Sequence, residues 1–260
     1  MRMSPTPEPF SQNWSAYMLR EQLDRAVCQW STLGVAFDTA PVGSAGHDID
    51  LERLLLETAR LAPAMPRLFV MAVTWLQIYG DALARHRLRH LMAEELAPTD
   101  HPVLGLLLEL GQAGSHPPRF AALLRELHSA PDPRPLFDIE RSSAAMAERA
   151  RRRASPESKR WGRWCEPVEP RSDAISPAHV VMSRNPWLRL AMDFRGDLRA
   201  AVVASLRHDS DARISESALT RCAGGSRAQV RNALANLELT GRAARIRSPG
   251  VRKTRIVVMG

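Results

Sequence analysis

The sequence predicts a mainly α-helical protein: an N-terminal array of helical hairpins, then a small basic unit of short helices closed by a β-hairpin. Three observations carry this. Apolar residues recur at helical spacing through most of residues 15–128. A proline- and arginine-rich stretch, 129–184, interrupts the pattern. Beyond it, two short helical patterns flank Gly224-Gly225, and two strand-like runs follow. With 260 residues, more than one domain is expected. The division expected is a helical dimerisation or partner-binding domain over 1–128, a linker over 129–184 and a C-terminal domain over 185–260.

In the first segment, Leu51, Leu54, Leu55, Thr58 and Leu61 fall on one stripe behind "HDID", whose aspartates suit a helix start. The next helix opens at Pro66 and is apolar on nearly every side through Tyr79, as expected of a central, buried helix. Gly80-Asp81 breaks the chain. Ala84, Leu88, Leu91 and Met92 mark another stripe, followed by "PVLGLLLEL" and by Phe120, Leu123, Leu124 and Leu127 at i, i+3, i+4 and i+7. Short connections suit stacked antiparallel helices.

Seven of the chain's 19 prolines lie in 129–184. This stretch reads as an exposed connection with one helix around 139–153. Arg149, Arg151, Arg152, Arg153, Lys159, Arg160 and Arg163 interleave with Trp161 and Trp164. The pattern suits a solvated arginine-rich helix end whose tryptophans dock on a neighbouring domain, ahead of stacking on nucleic acid.

Charge separates the parts. The chain carries a net +8, and residues 185–260 hold 14 Arg or Lys against 6 Asp or Glu. The remaining 184 residues hold 22 of each sign and are neutral. A small basic unit is the electrostatic footprint of a polyanion binder.

Within that unit a helix is expected near 197–207, then a second over 216–222 capped by Ser215. Ser226 and Gln229 stand three apart as a capping box opening a third helix, which Gly241 closes. Val230, Ala233, Leu234 and Leu237 line its inner face. Ala228, Asn232, Ala235 and Asn236 lie opposite, flanked by Arg227, Gln229 and Arg231. Two short helices about a glycine turn make a helix-turn-helix. Arginine suits guanine edges, Asn or Gln suits adenine edges, and alanine permits close approach to a groove. In "RAARIRS", Ala244 and Ile246 alternate with Arg245 and Arg247. In "VRKTRIVVM", Ile256 and Val258 alternate with Arg255 and Val257. A basic hairpin directly after such a helix is a wing.

Residues 185–260 thus resemble the winged helix-turn-helix domain of bacterial transcriptional regulators of the MarR and ArsR kind, carried by "SALTRCAGGSRAQVRNALANLELTGRAARI". The lead-in "NPWLRLAMDFRGDLRAAVVASL" also looks like the first helix of uncharacterised winged-helix proteins found near nucleotidyltransferase or toxin genes. The resemblance implies a transcriptional regulator bound to double-stranded DNA, with the 226–240 helix in the major groove and the 242–258 wing on the backbone or minor groove. The implied DNA-binding residues are Ser226, Arg227, Gln229, Arg231, Asn232 and Asn236, with Arg245, Arg247, Arg252 and Lys253 from the wing. The alternative is a non-enzymatic scaffold or adaptor of a multiprotein complex that uses the winged helix to dock protein. The helical part would supply a homodimer or partner contact.

Catalysis, metal and cofactor are not expected. Asp48 and Asp50 have the spacing of a nucleotidyltransferase pair, but only three residues separate Ser44 from Asp48 and a helix follows, so the aspartates read as helix caps. His86, His90 and Glu94 share a helix face, yet Arg85, Arg87 and Arg89 surround them with a field that disfavours a cation. No phosphate loop, G-x-S-x-G or metal-spaced cysteine set occurs. The three scattered cysteines read as reduced thiols, and the most apolar run, 68–76, is far short of a membrane span. A cytoplasmic, nucleoid-bound protein is the expectation.

Overall fold

The computed structural model describes residues 9–37, 49–247 and 254–259. The helices are α1 (Pro9–Thr32), α2 (Leu51–Leu61), α3 (Pro66–Tyr79), α4 (Arg85–Glu95), α5 (His101–Gly111) and the single turn α6 (Ala121–Leu124). After them come α7 (Ala144–Arg153), α8 (Pro156–Trp161), α9 (Ala178–Arg184), α10 (Pro186–Asp193), α11 (Leu198–His208), α12 (Glu216–Ala223) and α13 (Arg227–Leu239). Two two-stranded sheets complete the fold: β1 (Arg134–Pro135) with β2 (Arg163–Trp164), parallel, and β3 (Ala243–Arg247) with β4 (Thr254–Val258), antiparallel.

The predicted starts of α2 and α3 are met for the expected reasons. Asp50 accepts a hydrogen bond from the Arg53 backbone N–H at 3.2 Å, satisfying one orphan donor of α2. Pro66 opens α3 where its missing N–H costs nothing. α3 is central and packs on α5 and α2. Around it the indoles of Trp30 and Trp75 meet edge-on at 5.4 Å between centroids. Each buried indole N–H is satisfied, Trp30 by Thr58 Oγ1 (2.9 Å) and Trp75 by the Leu33 carbonyl (3.1 Å). The helix expected over 120–127 is shorter than its stripe, closing after one turn at Leu124.

The stretch 129–184 is not an exposed connection. It forms α7, α8, α9 and the β1–β2 pair, and its apolar residues Leu136, Trp161, Cys165, Ile175 and Val181 join the core of the first helices. Trp161 lies over Gly105, where any β-carbon would come within 2.4 Å of its ring, so α5 needs glycine there. The indole N–H of Trp161 donates to Glu109 at 2.6 Å. The expected docking of a tryptophan on neighbouring helices therefore holds, while the linker reading does not. The same core runs on through Trp187, Leu188 and Ala191 of α10. The two cores therefore part near residue 192, rather than at 128 or 185. A second core gathers Phe194, the inner faces of α11, α12 and α13, Ala243 and Ile256, and takes in Ala84 from the start of α4. Among the described residues, no helix is long and apolar enough to cross a membrane.

Candidate nucleic-acid interface

The segment around residue 225 is built locally, as its sequence suggests. Ser215 caps α12 by accepting from the Ala218 N–H at 3.1 Å. α12 ends on Gly224, whose φ of +72° lies in the left-handed region. That glycine also presses on α4: a β-carbon would stand 2.3 Å from the His86 carbonyl oxygen. α13 then starts on the predicted capping box. Ser226 Oγ accepts from the Gln229 N–H (3.3 Å), and Gln229 Oε1 accepts from the Ser226 N–H (3.0 Å). Gln229 is thereby committed to the backbone through its carbonyl oxygen, which leaves its amide group outward.

Val230, Ala233, Leu234 and Leu237 are buried, and α13 packs on α11 and α12. Arg227, Ala228, Arg231, Asn232, Ala235 and Asn236 are all exposed. The six share one face of α13. Among the described residues Arg227 makes no ion pair, and the side chains of Asn232 and Asn236 make no hydrogen bond. Leu239, at the end of the same helix, is 88% exposed.

β3 pairs with β4 so that Ala243 faces Val258, Arg245 faces Ile256 and Ile246 faces Arg255. The expected alternation is present, but the buried set is Ala243 and Ile256, while Ile246 is exposed. Arg245 shares the Ile256 side of the hairpin and turns back to the helices. Its Nε donates to Glu238 Oε1 at 2.7 Å, and its Nη2 lies 3.6 Å from Glu216 Oε2. The other oxygen of Glu216 accepts from Arg231 Nε at 2.9 Å. Glu216 thus bridges a helix arginine and a strand arginine. Both glutamates escaped notice in the sequence, where nothing local pairs them with these cations. Arg252 and Lys253 lie outside the described residues, as does the side chain of Arg247.

No family model, no curated protein and no solved structure matches the chain.

Behind the exposed face, α4 joins the two cores through a buried ionic cluster. Arg87, placed by its sequence neighbours among solvated cations, is fully buried. Its Nη1 donates to Asp50 Oδ1 (2.6 Å) and Glu52 Oε2 (2.9 Å), its Nη2 to Asp50 Oδ2 (2.7 Å), and its Nε to Asp209 Oδ2 (3.1 Å). Arg53 adds bonds to Asp50 (2.9 Å) and Asp209 (2.8 Å). Burial acts to raise the Asp50 carboxyl, but the hydrogen bonds and charge of Arg87 outweigh it and hold the group below its ordinary range. At Glu52, enclosed on all sides, burial wins and the pKa is raised. Asp50 therefore caps α2, as its sequence position favoured, and in addition binds two arginines; Asp48 lies outside the described residues. Neither His86, His90 and Glu94 nor any other group of three potential ligands among the described residues is placed to hold a metal ion.

Proposed function

We propose that the C-terminal unit is a winged helix-turn-helix that binds duplex DNA, in a protein that acts as a transcriptional regulator. α13 enters the major groove and the β3–β4 hairpin lies on the flanking backbone or minor groove. One observation supports this above the others: Arg227, Arg231, Asn232 and Asn236 stand exposed on one helix face beside the hairpin, in the third of the chain that carries the whole net charge. Arg227 and Asn232 would meet base edges. Arg231 and Arg245, held by Glu216 and Glu238, would exchange carboxylate for phosphate on docking. The exposed Tyr17, Met18 and Leu19 of α1 suit self-association of the N-terminal part into a homodimer.

The test is a salt series on duplex DNA selected from a random pool. Each phosphate neutralised contributes about −0.9 to the log–log slope, so four to six contacts give a slope of about −4 to −5. Asn232→Ala is expected to change the selected sequence, at a cost of about 1–3 kcal/mol for the preferred site. Arg227→Ala is expected to weaken all sites or one base position. Affinity that stays flat from low to moderate salt would refute the reading.

A second reading, a docking module for protein, is favoured by Leu239 and Ile246, apolar residues exposed at the end of α13 and on β3. Loss of a protein partner on Leu239→Lys, with no retention on DNA at low salt, would select it.

A further inference from the structure

The cations of α13 and the β3–β4 hairpin stand in two different states. Arg227 is exposed and makes no ion pair among the described residues. Arg231 and Arg245 are both engaged, and by the same carboxylate. Glu216, the first residue of α12, accepts from Arg231 Nε at 2.9 Å through one oxygen and lies 3.6 Å from Arg245 Nη2 through the other. Glu238 closes Arg245 from a second side, accepting from its Nε at 2.7 Å. Three elements make this junction. α12 packs on α13, and the strand register sets Arg245 opposite the buried Ile256, on the side of the hairpin that faces the helices.

Such a bridge does little for the fold. The arginine side chains are 56% and 43% exposed, and water screens ion pairs as open as these. What the bridge alters is the field over the α13 face. Residues 185–260 hold only 6 carboxylates. Asp209 turns inward to Arg87 and Arg53, and Asp197 serves the start of α11 and Arg199. Glu216 and Glu238 are the two that reach Arg231 and Arg245. Arg227, Arg231 and Arg245 against Glu216 and Glu238 therefore leave a single positive charge, where free arginines would present three.

We infer, resting on the DNA-binding reading of α13, that Glu216 sets how strongly this face prefers one duplex over any other. On an arbitrary duplex a complex is held by phosphate attraction alone. There Arg231 and Arg245 stay on their carboxylates and add almost nothing. At a preferred site Arg227 and Asn232 engage base edges, α13 seats fully, and phosphate oxygens come close enough to replace the carboxylate oxygens. Guanidinium accepts that exchange because phosphate offers it the same paired acceptors. Two cations are thus withheld from non-specific contact and released by the specific one. Without the Glu216 charge they are offered to every duplex alike.

The experiment measures binding of the full-length protein to two duplexes of equal length by fluorescence anisotropy. One is selected by the protein from a random pool, and the other is its shuffled sequence. Glu216→Gln is expected to tighten the shuffled duplex about tenfold and the selected one by less than about threefold. The salt slope on the shuffled duplex should steepen by about 1–2, from the two freed cations. Asp211→Asn is the control: it removes an exposed carboxylate that makes no ion pair among the described residues. It changes the net charge equally and should leave the ratio of the two affinities as it is. In the wild-type protein, the Arg231 Nε–H resonance should stay in place with the shuffled duplex and move with the selected one, a readout that needs no variant. Equal tightening of both duplexes by Glu216→Gln, no tightening, the same change of ratio from Asp211→Asn, or an Arg231 resonance that moves with both would each overturn this role of Glu216. Wild-type affinity that is flat with salt on both duplexes would refute the DNA-binding reading and this role together. Salt-dependent binding with an unchanged ratio in Glu216→Gln refutes the role alone.

Discussion

Arg87→Met removes the one cation among the described residues that touches Asp50, Glu52 and Asp209 together. The methionine fills much of the same volume, so the cost is electrostatic. Asp50 keeps the Arg53 N–H and guanidinium, and Asp209 keeps Arg53. Glu52 is left with a single donor, the Ala84 N–H at 2.8 Å, and sits fully enclosed. Breaking a buried pair from one side costs about 3–5 kcal/mol, a large part of the roughly 5–15 kcal/mol that holds a typical domain. With a slope near 3 kcal/mol per M, the urea midpoint should fall by about 1 M or more. Adding Glu52→Gln should return about 1–3 kcal/mol, because the stranded charge is gone. The pH dependence has a definite sign. Orphaned buried carboxylates have raised pKa values in the folded state, so their penalty is full at pH 7 and shrinks as acid neutralises them. The deficit of Arg87→Met relative to wild type should therefore narrow toward pH 4.5. Urea unfolding followed by circular dichroism at both pH values is the assay. A loss below about 1 kcal/mol at pH 7, or no recovery with Glu52→Gln, would refute the assignment of this cluster as the tie between the cores.

Two further outcomes follow from the same seam. Gly224→Ala imposes a left-handed alanine, about 1–2 kcal/mol, and also drives its β-carbon into the His86 carbonyl, so thermal unfolding should show a larger loss than that figure alone. His86 is held below the ordinary imidazole value of about 6.5 by burial first and by Arg89 and Arg85 next. The unfolded chain therefore takes its proton more readily, and stability should decline as pH falls from about 7 toward 5. His86→Gln should flatten that decline in a pH series of unfolding free energies; an unchanged profile would rule out His86 as a source.

What the sequence disclosed was what residues decide among near neighbours. The Ser226–Gln229 box, the Ser215 cap, the α2 stripe and the turn at Gly224 each span a few positions, and each is where the periodicity put it. Residues 129–184 read as a connection in the sequence because their core anchors come singly. Leu136, Trp161 and Ile175 find their partners on distant helices, so no period betrays them. Arg87 was hidden by its charge, although a signal existed: it falls three residues after Ala84 and four before Leu91, on the apolar stripe itself. The inward turn of Arg245 depends on Glu216 and Glu238, a pairing that only the folded hairpin creates. For the same reason the exposed face of α13 was legible, while the carboxylates that restrain its arginines were not.

The contact of Asp209 with Arg87 bears on how this protein can be taken apart. Composition invites a cut near residue 184 to isolate a basic C-terminal fragment. Such a fragment would carry Asp209 without either arginine that neutralises it, and would bare the side of α11 and α12 that α4 now covers. It would also strand Asn185, whose side chain reaches the Thr32 carbonyl at 2.9 Å. The shortest piece expected to behave as the whole does must begin before α2, so dissection of this chain should proceed by point substitution instead of truncation.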